Sequence, residues 1–371
     1  MRYPRFLPEK GTIGFIAPSF GAAIEPYRSA YDNAKRKLTS LGFSLREGPN
    51  VYADKGIGIS NTPELCGREL NEMMTAADVD AVITTGGGEL MCEVIPYMDF
   101  DRIRRAEPKW YMGYSDNTNY TFLSATLVDT AAIYGPCAPA FGMEPWHPAI
   151  QDALDLLMGR TVFSHSYKKW EIESQKTLET PLEPYHVTEE NHFRYFLAEA
   201  DGKPEGRKEE REREAENSDT AFGPGATETG EAEFYGRLLG GCVDSLVTLL
   251  GTRFDRVKEF NKRYGKDGII WFLECCDLNV LGMRRAFWQM KEAGWFECAS
   301  GFLIGRPYHM NEPIMGLDQY DAVTKVLEDL KVPVIMDLDI GHRPPMMPIV
   351  TGAAAAVRAK GNEVKIAYDF S

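Results

Sequence analysis

The sequence predicts an α/β protein with a helix-flanked parallel sheet and a second α/β domain. Three observations carry this. Apolar, strand-like runs alternate with helix-period segments from residue 11 to "AAIYGP". The same alternation resumes after a break in composition. At 371 residues the chain exceeds what one small core requires, which suggests two domains.

"GTIGFIAPSF" (11–20) reads as the opening strand, ending in a Pro/Ser turn. "SAYDNAKRKLTSLG" (29–42) has helical spacing, with Ala34, Leu38 and Leu41 on one side and Gly42 as the stop. A second helix is expected over 62–79, with Thr62 as its N-cap. "VDAVITT" (79–85) is a strand running into Gly86-Gly87-Gly88. "DRIRRAE" is a short helix, "KWYMGYS" a strand, 117–130 a helix and "AAIYGP" a strand. In such sheets ligands sit beyond the carboxyl ends of the strands, where the three glycines and Ser115 both fall.

Composition changes after about residue 165, and 199–233 is charged, poor in large apolar groups and broken by Gly and Pro. Such a stretch buries too little surface to offset its ordering entropy, so it reads as a solvated spacer or as a lid. Order returns with "FYGRLLGGCVDSLVTLLGT", a strand start meeting Gly240-Gly241 and then an apolar helix. "GIIWFLECCD" is a strand ending at Glu274. Then come the helix "MRRAFWQMKEAGWF", the strand "ASGFLIGRP", the helix "DQYDAVTKVLEDLKVP" and the strand "VPVIMDLDIGH". The expected division is 1–165, a linker and insertion over 166–233, and 234–371.

The formal net charge of −14 argues against a nucleic-acid-binding face, which needs clustered Lys and Arg. No apolar run of membrane-spanning length and no signal core is present, and the seven scattered cysteines lack C-x-x-C spacing. A cytoplasmic protein with reduced thiols and no metal site is therefore expected.

"KWYMGYSDNT" (109–118) raises the question of function. Its serine is either part of a plain turn or a nucleophile held at a strand-to-helix bend. A serine needs a base, and the base an orienting group. Of six histidines only His342 follows a strongly apolar strand, with a glycine beside it. Glu274 ends another strand, where a carboxylate is costly unless paired. Arg284 or Arg306 would satisfy it in a purely structural reading. Asn117 stands where the α/β-hydrolase elbow has glycine, so that fold is not indicated. The triple glycine lacks a P-loop lysine. It reads as a tight turn, or as bare N–H groups approaching a substrate oxygen. Arg306 and Arg343 are candidates for holding a substrate carboxylate, against ordinary ion pairing.

"GTIGFIAPS", the glycine pair with "PYMDFD" downstream, "GYSDNT", "YGP", "GRLLGG", "FLE" and "DIGH" occur in one order. Together they resemble the LD-carboxypeptidases, the serine peptidase family that includes the microcin C immunity proteins. The resemblance covers roughly 10–165 and 234–368. It implies Ser115 as nucleophile, Glu274 as orienting carboxylate and His342 as base, with Gly88 and Asp116 N–H groups as oxyanion hole. It also implies a Rossmann-like first domain, a second α/β domain, a homodimer and no cofactor. Gly87, Glu89, Trp170 and Arg306 are then substrate-side candidates, with Trp170 also readable as plain packing. The expected activity is serine-type carboxypeptidase cleavage of an amide near a free carboxylate. The substrate would be an L,D-muropeptide or a microcin-like aminoacyl nucleotide. A binding protein that keeps only the crevice is the alternative.

Overall fold

Five parallel strands build the first sheet, in the spatial order Ala132–Tyr134, Trp110–Gly113, Ala81–Thr84, Thr12–Ile16, Ser44–Glu47. The computed structural model describes residues 1–196, 226–227 and 230–371. The three strands on the Ala132 side are buried along their whole length, as expected of a sheet covered on both faces. Helices Tyr27–Ser40 and Pro63–Thr75 flank it. Gly42 stops the first with a φ of 97°, and Thr62 caps the second by accepting from Leu65 N. The helix expected over 117–130 is shorter and irregular. A 3₁₀ turn over Ser115–Asn117 leads into Thr118–Leu123, then a π turn over Ser124–Val128 that ends on left-handed Asp129.

The second sheet has the order 226–227, 194–196, 334–338, 299–305, 269–274, 231–242, 354–360, 363–369, 163–165. Its centre, Glu231–Cys242 through Val334–Leu338, is parallel and its flanks are antiparallel. The two sheets exchange chain. Ile349–Thr351 pairs antiparallel with Ala132–Tyr134 in the first sheet. Phe163–His165 and Arg194–Phe196, placed by sequence in the first domain and the linker, are strands of the second. Of the charged stretch 199–233, all but 226–227 and 230–233 lies outside the described residues.

The sheets dock through the helix that follows Ser115. Phe122 stacks on Trp295 at 5.3 Å between ring centroids, and Trp295 stacks on Trp271 at 5.8 Å. All three rings are buried, and each contributes about 1.5–3 kcal/mol by leaving water. The "GRLLGG" glycines serve the same junction. Gly241 has a φ of 141°, and a Cβ there would sit 2.6 Å from Thr118 Cγ2. The bare backbone lets Cys242 N–H reach Thr118 Oγ1 at 2.9 Å. Because Trp271 shares a strand with Glu274, this packing ties the helix after Ser115 to the strand that ends at Glu274.

Candidate active site

Ser115 leaves the strand Trp110–Gly113 in the left-handed region, with φ of 62°. A non-glycine residue there costs about 1–3 kcal/mol and must be held by its surroundings. Asn117 supplies much of the hold. Its Nδ2 donates to Gly86 O at 2.7 Å and Tyr114 O at 3.1 Å, and its Oδ1 accepts from Tyr111 OH at 2.7 Å. Asparagine therefore braces the bend where another fold uses glycine. Gly113 is needed for space, since a Cβ there would lie 2.6 Å from Thr84 Oγ1.

Glu274 ends Ile269–Glu274 with no exposed surface. His342 follows Val334–Leu338 on a loop turned by Gly341, whose φ is 99°. A Cβ at Gly341 would stand 2.5 Å from Glu274 Oε2, so only glycine lets the loop close onto the acid. The result is a continuous chain. His342 Nδ1 lies 2.9 Å from Glu274 Oε2, and His342 Nε2 lies 2.8 Å from Ser115 Oγ. An ionised carboxylate only accepts, so Nδ1 carries the proton and Nε2 offers its lone pair to the hydroxyl. The Tyr114 ring lies 5.2 Å from the imidazole.

The electrostatics match. Burial alone would depress His342, but the facing Glu274 carboxylate and the Cys276 side chain raise its pKa well above the usual imidazole value. Burial likewise opposes the Glu274 charge, and the His342 charge with hydrogen bonds from His342 and Tyr134 brings its pKa below the ordinary value. The turn after Glu274 is fixed by Asp244, whose carboxylate accepts from the N–H groups of Cys276, Asp277 and Leu278 at 2.9–3.1 Å.

The glycine run closes over the serine. A Cβ on Gly87 would lie 2.9 Å from Ser115 Cβ and 3.1 Å from its Oγ. Gly87→Ala is thus expected to displace the hydroxyl from His342 and lower kcat about 10²-fold with little change in KM. Steady-state kinetics beside a melting curve separates this from unfolding. Gly88 is equally confined, its Cβ position being 2.2 Å from Ser19 Oγ. Asp116 is the second residue of the turn Ser115–Asn117, in the first turn of the helical segment, where backbone N–H groups lack acceptors within the helix. Its side chain is committed elsewhere, accepting from Ser19 Oγ at 2.6 Å, Met91 N at 2.9 Å and Asn119 Nδ2 at 2.9 Å. Burial pushes that carboxyl up to about 6 against these donors.

Two of the substrate-side candidates, Arg306 and Trp170, are buried against each other. Arg306 is 2% exposed, ion-paired with Asp339 at 3.0 Å, and donates to Asn191 Oδ1 and Asp337 O. Its guanidinium lies 4.5 Å from the centre of the Trp170 ring, which is also buried. The pair packs beside the strand end leading to His342. Arg306→Met leaves Asp339 charged without its partner and should cost about 3–5 kcal/mol in denaturant unfolding at neutral pH. Burial already raises the Asp339 pKa, so this penalty should shrink as pH falls and the carboxyl protonates. Arg343 spans the carbonyls of Ile172 and Tyr308 beside the site. Glu89 is exposed next to the glycine run. Glu274 is satisfied by His342 and Tyr134, and not by Arg284 or Arg306. Sequence reasoning missed Tyr134, although it lies in the quoted "YGP".

Among the described residues no group of three or more His, Cys, Asp or Glu side chains is placed to hold a metal ion. No helix among them is long and apolar enough to cross a membrane. All seven cysteines are free thiols.

The geometry agrees with the family comparisons. The LD-carboxypeptidase N-terminal domain model matches 13–135, and the LD-carboxypeptidase C-terminal domain model matches 235–357. This chain belongs to the LD-carboxypeptidase family. Within this LD-carboxypeptidase family chain the first match holds Ser115, and the second holds Glu274 and His342. Curated relatives include a Vibrio cholerae protein provisionally named a carboxypeptidase, 24% identical over 99% of this chain and 98% of that one. They also include the microcin C7 self-immunity protein MccF of Escherichia coli, 24% identical over 97% of this chain and 94% of its own. The fold matches solved MccF, including its complex with adenosine monophosphate, at TM-score 0.77 and 21% identity, covering 100% of this chain and 99% of that one. Further MccF structures hold glutamyl sulfamoyl guanosine and aspartyl sulfamoyl adenosine.

Proposed function

We propose that this LD-carboxypeptidase family protein is a serine hydrolase that cleaves an amide near a free carboxylate through an acyl-enzyme. The observation that carries the reading is the Ser115–His342–Glu274 chain, with both links under 3 Å and its members drawn from two sheets. Ser115 Oγ attacks the carbonyl carbon as His342 Nε2 takes its proton. Glu274 holds the imidazole and stabilises its charged form. The oxyanion forms against the N–H groups of Gly88 and Asp116, where each donor is worth about 10²–10³ in rate. His342 then protonates the leaving amine. Water, deprotonated by the same imidazole, releases the acyl group and restores Ser115.

Two substrate classes follow from the relatives. Carboxypeptidase kinship supports an L,D-muropeptide losing its terminal residue. Kinship to the immunity protein over nearly the whole chain supports an aminoacyl sulfamoyl nucleoside losing its amino acid. Mass-spectrometric product analysis of both, with wild type and Ser115→Ala, tests the proposal. Serine-dependent release of a terminal D-amino acid identifies the first. Serine-dependent release of the amino acid from the nucleoside identifies the second. Turnover that survives in Ser115→Ala overturns the mechanism, and turnover of neither substrate leaves the crevice as that of a binding protein.

A further inference from the structure

A buried hydroxyl stands between the nucleophile's backbone and the acid's side chain. Tyr134 is the last residue of Ala132–Tyr134 and has no exposed surface. Its hydroxyl donates to Glu274 Oε1 at 2.6 Å and accepts from Ser115 N–H at 3.2 Å. Its ring is clamped between the sheets, with centroids 5.6 Å from Phe272 and 6.3 Å from Tyr114. The hydroxyl therefore has one fixed direction of donation and one of acceptance.

We propose that Tyr134 is a positioning residue for the hydrolytic chain: its hydroxyl orients Glu274 and withdraws the Ser115 N–H from the oxyanion hole. The inference rests on the serine hydrolase reading above. A carboxylate has two oxygens and can rotate. With Oε1 taken by Tyr134, Oε2 is the one left for His342 Nδ1, and the acid cannot swing away from the base. The same hydroxyl ties down Ser115 N–H, a backbone donor that other serine hydrolases turn on the oxyanion. Here that donor holds the left-handed turn instead, which leaves the hole to Gly88 and Asp116.

The electrostatic consequence has a definite sign. The titratable groups facing Glu274 are His342, Tyr114, Tyr134, Cys242, Cys275 and Cys276. Removing the Tyr134 donor leaves more negative charge on Oε2, which then holds the His342 proton more tightly. The acid limb of activity should move to higher pH, a shift that loss of packing alone does not produce.

The test uses the full chain and a serine-directed fluorophosphonate, so it needs no substrate. The second-order labelling rate is measured against pH for wild type, Tyr134→Phe, Glu274→Gln and the double variant, with melting curves for each. Tyr134→Phe should slow labelling about 10- to 100-fold, the loss expected when a charged group loses a buried donor, and move its acid limb upward. In the Glu274→Gln background it should cost nothing further, because there the hydroxyl only holds the amide with its NH₂ group toward His342. The double variant also lacks the buried carboxylate short of a donor, so it reports even if Tyr134→Phe folds poorly. An unchanged rate and pH limb in Tyr134→Phe, or losses that multiply in the double variant, overturn the role of Tyr134. Failure of the phosphonate to label Ser115 in wild type overturns the parent reading instead, and the inference with it.

Discussion

Ser115→Ala is expected to lower kcat about 10⁶-fold while the protein keeps its fold. The three residues act as a unit, so His342→Ala should cost nearly as much and the double variant no more than either alone. A residual rate about 10³-fold above the uncatalysed reaction should persist, since the backbone donors at Gly88 and Asp116 do not depend on the hydroxyl. Stability gives the complementary readout. Ser115 holds a φ of 62° that glycine adopts freely. Ser115→Gly should therefore be as inactive as Ser115→Ala yet more stable than it, by about 1 kcal/mol in denaturant unfolding. Equal stability of the two variants would mean that the turn stores no strain.

Glu274→Gln is expected to cost about 10³–10⁴ in kcat, more than the loss of one charge would suggest. The amide has one oxygen and one NH₂ group. Tyr134 already accepts from Ser115 N–H and has its own proton to donate, so the amide oxygen should take the Oε1 place beside it. The NH₂ group is then forced to face His342 Nδ1. That nitrogen must become the acceptor, the proton moves to Nε2, and the imidazole can no longer take a proton from Ser115. The inverted tautomer, not the missing charge, accounts for most of the loss. The charge has its own signature. Glu274 raises His342 well above its ordinary pKa, so the acid limb of kcat/KM in wild type should lie above pH 6.5. In Glu274→Gln the residual activity should persist to lower pH, because the neutral base survives further into acid. A limb at the same pH in both proteins would show that Glu274 does not govern the base.

How legible this site was differs from residue to residue. Ser115, Glu274 and His342 each end an apolar run, and their neighbours Gly113 and Gly341 advertise a bend, so local pattern was enough to propose them. Tyr134 carries no local signal because its two partners lie 19 and 140 residues away in sequence. The partners of Arg306 were hidden for the same reason, since Asn191 and Asp339 reach it from other elements. The parallel strands were visible as apolar runs of the right length. The C-terminal hairpin of Ala354–Lys360 and Glu363–Asp369 was not assigned. Its first strand is rich in alanine, which reads as helix, and only the second alternates cleanly between buried and exposed. The exchanged strands Phe163–His165 and Ile349–Thr351 have three residues each, too few for any periodicity to register.

The exchange at Ile349–Thr351 has a mechanical meaning. That strand begins seven residues after His342 and is stitched to the first sheet, with Ile349 opposite Tyr134. The segment carrying His342 is thus moored to the same sheet that carries Ser115, while Tyr134 bonds to Glu274 on the other sheet. The three side chains belong to a closed linkage and not to two jaws on a hinge. Swinging the halves apart would mean tearing a β-ladder, so Ser115, His342 and Glu274 are held together by the fold itself.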